Sequence, residues 1–191
     1  METHPIVRAS LAVSLDGYIA DKNGGVGWLN PFFSDEMDFA GFMGTIGAAV
    51  MGRKTFDIAV SGALGPMPPA SHPTFVPTNR PMPNPPPRYE AFRGTPGELV
   101  ERLRAQLAKS GKDIWLMGGG KTIEAFRAGG VLDRLELTIM PVVLSDGVPL
   151  FPRHARGDER WKLTDHRAFK NGAVELWYEP GNKSPRYLSI R

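Results

Sequence analysis

The chain contains no cysteine. That excludes a disulfide framework, a thiol nucleophile and a cysteine zinc site. Histidine is scarce: the four, His4, His72, His154 and His166, stand at no metal-ligand spacing, so no metal is expected. Lys- or Arg-rich runs of the kind that mark a nucleic-acid surface are also missing. No segment stays apolar for the roughly 18 residues of a membrane span, and "METHPIVRAS" lacks the basic-then-apolar order of a leader. A soluble, cytoplasmic protein is the expectation.

What is present is 191 residues at 41% hydrophobic composition, enough for one core and read as a single domain over residues 1–191. The net charge of +3 suits an anionic small ligand. Ile6 to Leu15 reads as a buried strand stopped by Asp16-Gly17. After a glycine-rich loop, Ser34 stands before "DEMDFAGFM", where Asp35 and Glu36 suit the first turn of a helix. "AAVMG" is a short strand, and "RKTFDIAV" begins a helix. Residues 62–96 hold most of the 18 prolines and read as an ordered or semi-ordered loop with one short strand near "TFVPTN". A linker between two domains is the other reading, but two candidate strands before it make a thin independent core.

"TPGELVERLRAQLAKSG" is a helix with Thr95 as cap, Pro96 in the first position, Glu98 completing a capping box and Leu99, Leu103 and Leu107 on one face. Gly111 ends it. "DIWLMG" is a strand and "KTIEAFRAGG" a helix. "RLELTIM" alternates Leu135, Leu137 and Ile139 against Glu136 and Thr138, as a half-buried strand does. Asn171-Gly172 marks a hairpin, and a tail occupies residues 180–191. Strands alternating with helices, then an antiparallel end, argue for a mostly parallel α/β sheet with helices on both faces.

"LMGGGKT" tests as a phosphate loop. A Walker loop requires glycine where Trp115 stands, and the dinucleotide fingerprint lacks its last glycine after Gly118, Gly119 and Gly120. Both patterns fail. Three glycines between a strand and a helix still let a ligand approach the backbone, and the free amides of the helix attract an anion. The alternative is a tight turn. "MGRKTF" is a second such junction, with Gly52, Arg53, Lys54 and Thr55, and the polar turn Thr78, Asn79 and Arg80 follows the short strand. Together they suit one extended phosphate-bearing ligand at the carboxyl edge of a sheet.

The segments "SLDGYIA", "GWL", "MGRKTF", "TNRP", "LMGGGKTIEAF" and "LDRLELTIMPVVLSDGVPLF" occur in the order found in the dihydrofolate reductase-like superfamily. They most resemble the branch of the riboflavin-biosynthesis reductase domain and bacterial reductase-like proteins, from Ile6 to Tyr178. The resemblance implies a three-layer dihydrofolate reductase-like fold that binds NADPH. Gly52, Arg53, Lys54 and Thr55 match the loop that holds cofactor phosphates, and Thr78, Asn79 and Arg80 the turn beside the adenosine 2'-phosphate. Gly118, Gly119 and Gly120 match the glycine stretch against the cofactor, with a cis bond at Gly118-Gly119. Lys121 and Thr122 would begin the helix facing the pyrophosphate. Ala12 and Ile19 match the nicotinamide pocket, and Trp28 a tryptophan in the mobile loop over the active site.

Folate-reducing members use one acid on the first helix, and Asp35, Glu36 and Asp38 compete for that place. Alignment from Trp28 favours Asp35, and counting back from "MGR" favours Glu36. Helix capping is the other role open to these acids. Phe39, placed on the same helical face as Asp35, is either core or a wall against a planar ring. Asp16 matches a position near the substrate in the riboflavin-type branch, and its other role is an Asp-Gly turn. The implied function is NADPH-dependent reduction of a small pterin- or pyrimidine-like molecule, with Asp35, Glu36 or Asp16 as the acid and Trp28 and Phe39 against the substrate. The alternative is an NADPH-binding sensor or interaction protein without efficient turnover. A homodimer is expected by family analogy alone.

Overall fold

The computed structural model describes residues 4–61, 71–152 and 159–181. The strand expected from Ile6 to Leu15 is β1 (Val7–Ser14), and Gly17 turns the chain with φ +88° into β2 (Tyr18–Ala20). Two 3-10 turns follow, Gly27–Phe32 and Asp35–Met37, before α1 (Phe39–Gly44). The expected junction of strand and helix is β3 (Ile46–Met51) and α2 (Arg53–Val60). Next come β4 (Thr74–Pro77), β5 (Tyr89–Phe92), α3 (Pro96–Leu107), β6 (Asp113–Gly118) and α4 (Gly120–Ala128). The chain continues as β7 (Arg134–Met140), β8 (Val148–Pro149), β9 (Trp161–Ala168) and β10 (Val174–Pro180).

Eight strands form one sheet in the order β5-β4-β3-β6-β1-β7-β10-β9, and β2 pairs with β8 in a small second sheet. From β5 to β7 every pairing is parallel. β10 runs antiparallel to both β7 and β9. The parallel centre with an antiparallel hairpin therefore stands as the sequence indicates, with Gly172 at φ +86° in the hairpin turn.

Alternation along the strands sorts side chains onto two faces. Val7, Ala9, Leu11 and Val13 of β1 share a core with Leu99, Val100 and Leu103 of α3 and Ile123 and Phe126 of α4. The Thr95 side chain and Glu98 complete the expected capping box, which satisfies two helix-end donors. On the opposite face, Phe56 of α2 packs with Met51 and Val76, while Trp28, Leu29 and Phe32 pack on Met140, Phe169 and Ala173.

Four readings need correction. "DEMDFAGFM" is not one helix: Asp38 adopts φ +38° and its carboxylate accepts from Gly41 N at 3.0 Å, while Ser34 makes no side-chain cap bond. A short acidic side chain competes for local amides and restarts the helix. Asp35 and Phe39 consequently do not share a helical face. The proline-rich region holds two sheet strands rather than one, because β5 sits at the sheet edge, where nearby prolines are tolerated. Glu136 is only 3% exposed, so the polar side of β7 is covered at that position, while Thr138 on the same side is half-buried and lines a cavity. Residues 62–70 of the proline-rich loop and 182–191 of the tail lie outside the described residues.

Candidate active site

Because β1, β3, β4 and β6 are mutually parallel, their C-terminal ends meet at one edge. There the turn after β3 touches the turn after β6: Gly52 N donates to Gly118 O at 2.8 Å. A Cβ on Gly52 would collide with the Thr122 hydroxyl, and one on Gly120 would stand 2.5 Å from Pro149 O. Backbone oxygens leave no room for a Cβ at Gly120, whereas at Gly52 the Thr122 hydroxyl would have to turn aside. Gly118-Gly119 is joined by a cis bond, as the resemblance implies. A Cβ on Gly119 would meet only Thr55 Oγ1 at 3.5 Å and Ile19 Cδ1 at 3.9 Å. Its outer side is open.

Neither α2 nor α4 has a side-chain cap at its N-terminus. Two sets of free helix amides and two positive dipole ends thus converge on one seam, flanked by Thr55 and Thr122. Each dipole end favours an anion by about 0.3–1 kcal/mol, up to roughly 2 when partly buried.

The third turn is tied to this seam by ion pairs. Arg53 Nε donates to Asp57 Oδ1 at 2.7 Å, and its other end reaches the carbonyls of Arg80 and Pro81 at 3.2 and 3.0 Å. Arg80 Nη2 meets Asp57 Oδ2 at 3.0 Å, and Arg80 N donates to Thr78 Oγ1. The two guanidinium groups hold the Asp57 carboxyl below its ordinary value, the Arg53 hydrogen bond first among the causes. Sequence reasoning did not single out Asp57, whose signal is the i,i+4 spacing from Arg53. Arg53 is a brace, whereas the Arg80 side chain remains 64% exposed beside the seam.

Next to the seam, under α1 and the two 3-10 turns, lies a cavity of about 520 Å3. Its floor is a row across three strands, Ala12 opposite Thr138 and Thr138 opposite Glu175. One wall is aromatic: Phe39, 62% exposed, and Phe42 both approach the Trp115 ring, with centroids at 6.2 and 5.2 Å. The Trp115 ring is fixed by its Nε1–H bond to Ser10 O at 3.0 Å. Asp35 lies at the mouth.

A family model described as the RibD C-terminal domain matches residues 70–174. The "Uncharacterized protein YyaP" of Bacillus subtilis (strain 168) is 31% identical over 190 residues, spanning 88% of this chain and 91% of that one. The chain belongs to the RibD C-terminal domain family. A putative riboflavin biosynthesis protein from Shewanella sp. PV-4 has the same architecture, with TM-score 0.78, 26% identity and coverage of 94% of this chain and 100% of its own. Dihydrofolate reductase from Enterococcus faecalis, solved with NADP(H) and RAB-propyl, superposes with TM-score 0.61 at 17% identity over 93% and 97% of the two chains. That likeness shows the dihydrofolate reductase-like fold.

Within this RibD C-terminal domain the expected site residues separate into groups. Gly52, Thr55, Gly118, Gly119, Gly120 and Thr122 meet at the seam, with Ile19 beside Gly119. Thr78 and Arg80 join them through Asp57 and Arg53, and Asn79 lies in the same turn. Lys54 and Lys121 are exposed at the starts of α2 and α4. Ala12 lines the cavity. Trp28 is placed behind the wall, packed on Met140 and Phe169, while Leu29 and Phe32 of the same turn face the cavity.

The acids also separate. Asp16 accepts from Ser14 Oγ at 2.6 Å and from the amides of Leu144 and Ser145 at 3.1 and 2.7 Å. Those bonds, the Ser14 hydroxyl foremost, hold its carboxyl below the usual value, and they fasten the turn before β2 to the loop before β8. Glu36 pairs with Lys170 Nζ at 2.9 Å and accepts from Lys170 N, which lowers its carboxyl too. Asn171 Nδ2 donates to Phe32 O at 2.6 Å, so the hairpin turn anchors the cavity mouth. Among the described residues, the Asp35 and Glu175 side chains carry no hydrogen bond and both line the cavity. Sequence reasoning missed Glu175, Trp115, Thr138 and Phe42, because facing one cavity depends on strand register.

Proposed function

We propose that the chain is an NADPH-dependent reductase of a small planar heterocycle. The observation that carries this reading is the junction of two uncapped helix N-termini at a glycine seam beside an aromatic-walled cavity, with Ile19 against Gly119 and Ala12 in the cavity lining. The free amides of α2 and α4 suit a diphosphate, with Thr55 and Thr122 as additional donors. Arg80 and Lys54 suit the extra phosphate that distinguishes NADPH from NADH. When bound, NADPH supplies a hydride for an electrophilic ring or carbonyl-like carbon. The chain's own residues hold the acceptor against the floor, exclude water and deliver the balancing proton to the adjoining heteroatom. Asp35, at the mouth, is placed to orient the acceptor and to pass that proton in from solvent, since Asp16 and Glu36 are engaged within the fold. Stacking a planar ring on Phe39 contributes on the order of 0.5–1.5 kcal/mol through the aromatic pairing.

The test is a thermal-shift series with NADPH, NADH and ATP, followed by turnover with pterins and pyrimidines. NADPH at 100 times its Kd should stabilise the fold by about 2.7 kcal/mol, roughly 5–10 °C for a chain of this size. No shift at millimolar NADPH would overturn the proposal. NADPH binding without hydride loss across the panel would leave a cofactor-binding sensor instead. A homodimer belongs to the same proposal by family analogy and is checked by light scattering at assay concentration.

A further inference from the structure

Among the described residues, the ionisable groups that line the cavity are all acids. Among the described residues that line it, two are carboxylic acids, Asp35 and Glu175, and none is lysine, arginine or histidine. The remaining lining is aromatic, aliphatic or hydroxylic, including Leu29, Phe32, Met140 and Thr138. Of the nearby cations, Arg8 lies over the Phe42 ring at 4.9 Å and is taken up by Glu136, Asp113 and Thr45. Arg167 lies over the Phe169 ring at 4.8 Å and stands opposite Glu175 in the β9–β10 register, making no ion pair with it among the described residues and not lining the cavity. Lys170 is bound to Glu36. A phosphate seated here would bring nearly two negative charges beside Asp35 and a second carboxyl group, with no cation among the lining residues to offset them.

Glu175 differs from the engaged acids. It comes from β10, far in sequence from the segment expected to supply the acid, and reaches the cavity because Thr138 and Ala12 continue its row across β7 and β1. It is partly buried among apolar walls without a hydrogen-bond partner among the described residues. A polar group in that situation gains most when a ligand supplies the missing bond.

We propose that the cavity takes an unphosphorylated, uncharged or cationic planar heterocycle, with Glu175 as a substrate-contacting residue that hydrogen-bonds a ring oxygen or nitrogen while Asp35 accepts from a ring amino or N–H group. Burial pushes the Glu175 carboxyl above the ordinary glutamate value, with the like charge of Glu136 adding to the effect. Arg167 and Arg8 oppose it in part. The charged groups around it are thus Glu136 on β7, Arg8 on β1, Arg167 on β9, Asp113 beyond Glu136 on β6, and Asp35 at the mouth. The neutral donor form persists to higher pH than in a free glutamate.

This inference rests on the reductase reading for the cavity's role as substrate site, but its test needs no cofactor. Isothermal titration calorimetry would measure equilibrium binding of 5-amino-6-ribosylaminouracil, the same compound as its 5'-phosphate, and an aminopteridine, each without NADPH. The unphosphorylated uracil should bind at least about tenfold more tightly than its phosphate, a difference of about 1.4 kcal/mol. Equal or tighter binding of the phosphate, lost in Arg167→Ala, would overturn the proposal, as would failure of every unphosphorylated ring to bind at millimolar concentration. In the native chain, affinity should fall as pH rises through the raised Glu175 value. Glu175→Gln, which keeps a neutral donor, should bind with a flat pH profile, and Glu175→Leu should lose about tenfold across the range. A Glu175→Gln profile with the native slope would remove Glu175 from the contact. Melting temperatures of both variants within a few degrees of native separate binding loss from unfolding. Because NADPH binding is measured separately by thermal shift, failure of the cofactor site and failure of this pocket assignment are distinguishable.

Discussion

At the scale of single residues, similar side chains do different work according to what already occupies their atoms. Arg53 and Arg80 are both guanidinium groups beside the seam, yet Arg53 is spent on Asp57 and two carbonyls while Arg80 is largely exposed. Arg53→Ala is therefore expected to weaken NADPH and NADH alike, through loss of the brace. Arg80→Ala should weaken NADPH by about tenfold relative to NADH, as loss of a charge-assisted contact does. Titration of both cofactors against both variants checks this, and the opposite pattern would reassign the phosphate contact to Arg53. Gly120 shows the same logic for space. A methyl group there would press on the carbonyl oxygens of Pro149 and Leu150, which are backbone atoms that cannot rotate away. Gly120→Ala should cost about 1–3 kcal/mol, read from urea unfolding, without any ligand present.

At the scale of elements, α3 is held by local chemistry and α1 by local competition. The Thr95–Glu98 box is complete, so Thr95→Ala should destabilise the fold by about 0.5–2 kcal/mol. The Glu98 carboxyl lies below its ordinary value because the Thr95 amide and hydroxyl donate to it. A lowered folded value means that this contribution is present above the unfolded value and is lost as pH falls through the folded one. The Thr95→Ala deficit measured at pH 7 should accordingly shrink in acid; a deficit independent of pH would place the effect elsewhere. The first helix behaves differently. Asp38 takes the left-handed conformation and caps Gly41, and the break turns Asp35 toward the cavity mouth as Phe39 joins the wall.

At the scale of the molecule, the acids fall into two sets with opposite consequences for stability. Asp16, Asp57, Glu98 and Glu124 are held below their ordinary values by hydrogen bonds to their folded partners. Their contribution is full above ordinary values of 3.8 for Asp and 4.5 for Glu and is lost on further acidification. Glu136 and Glu175 are raised by burial, so their cost is present above their folded values and is relieved as pH falls. Unfolding free energy should rise or hold level as pH drops from neutral toward the Glu136 and Glu175 values, then decline below about pH 4. Glu136→Gln should remove part of the rise; a monotonic fall from neutral pH would contradict the burial assignment. The sequence by itself determined the parallel α/β order, the capped α3, the Asn171-Gly172 hairpin and the glycine junctions at Gly52 and Gly118. Those features are set by local periodicity, turn chemistry and side chains a few residues apart. Tertiary structure alone decided that Asp16 and Glu36 are tied to distant loops, that Trp28 lies behind the wall, and that Glu175 shares a cavity with Asp35. Such roles depend on strand register and on partners more than a hundred residues away, and no local pattern encodes which atoms remain free once those partners have met.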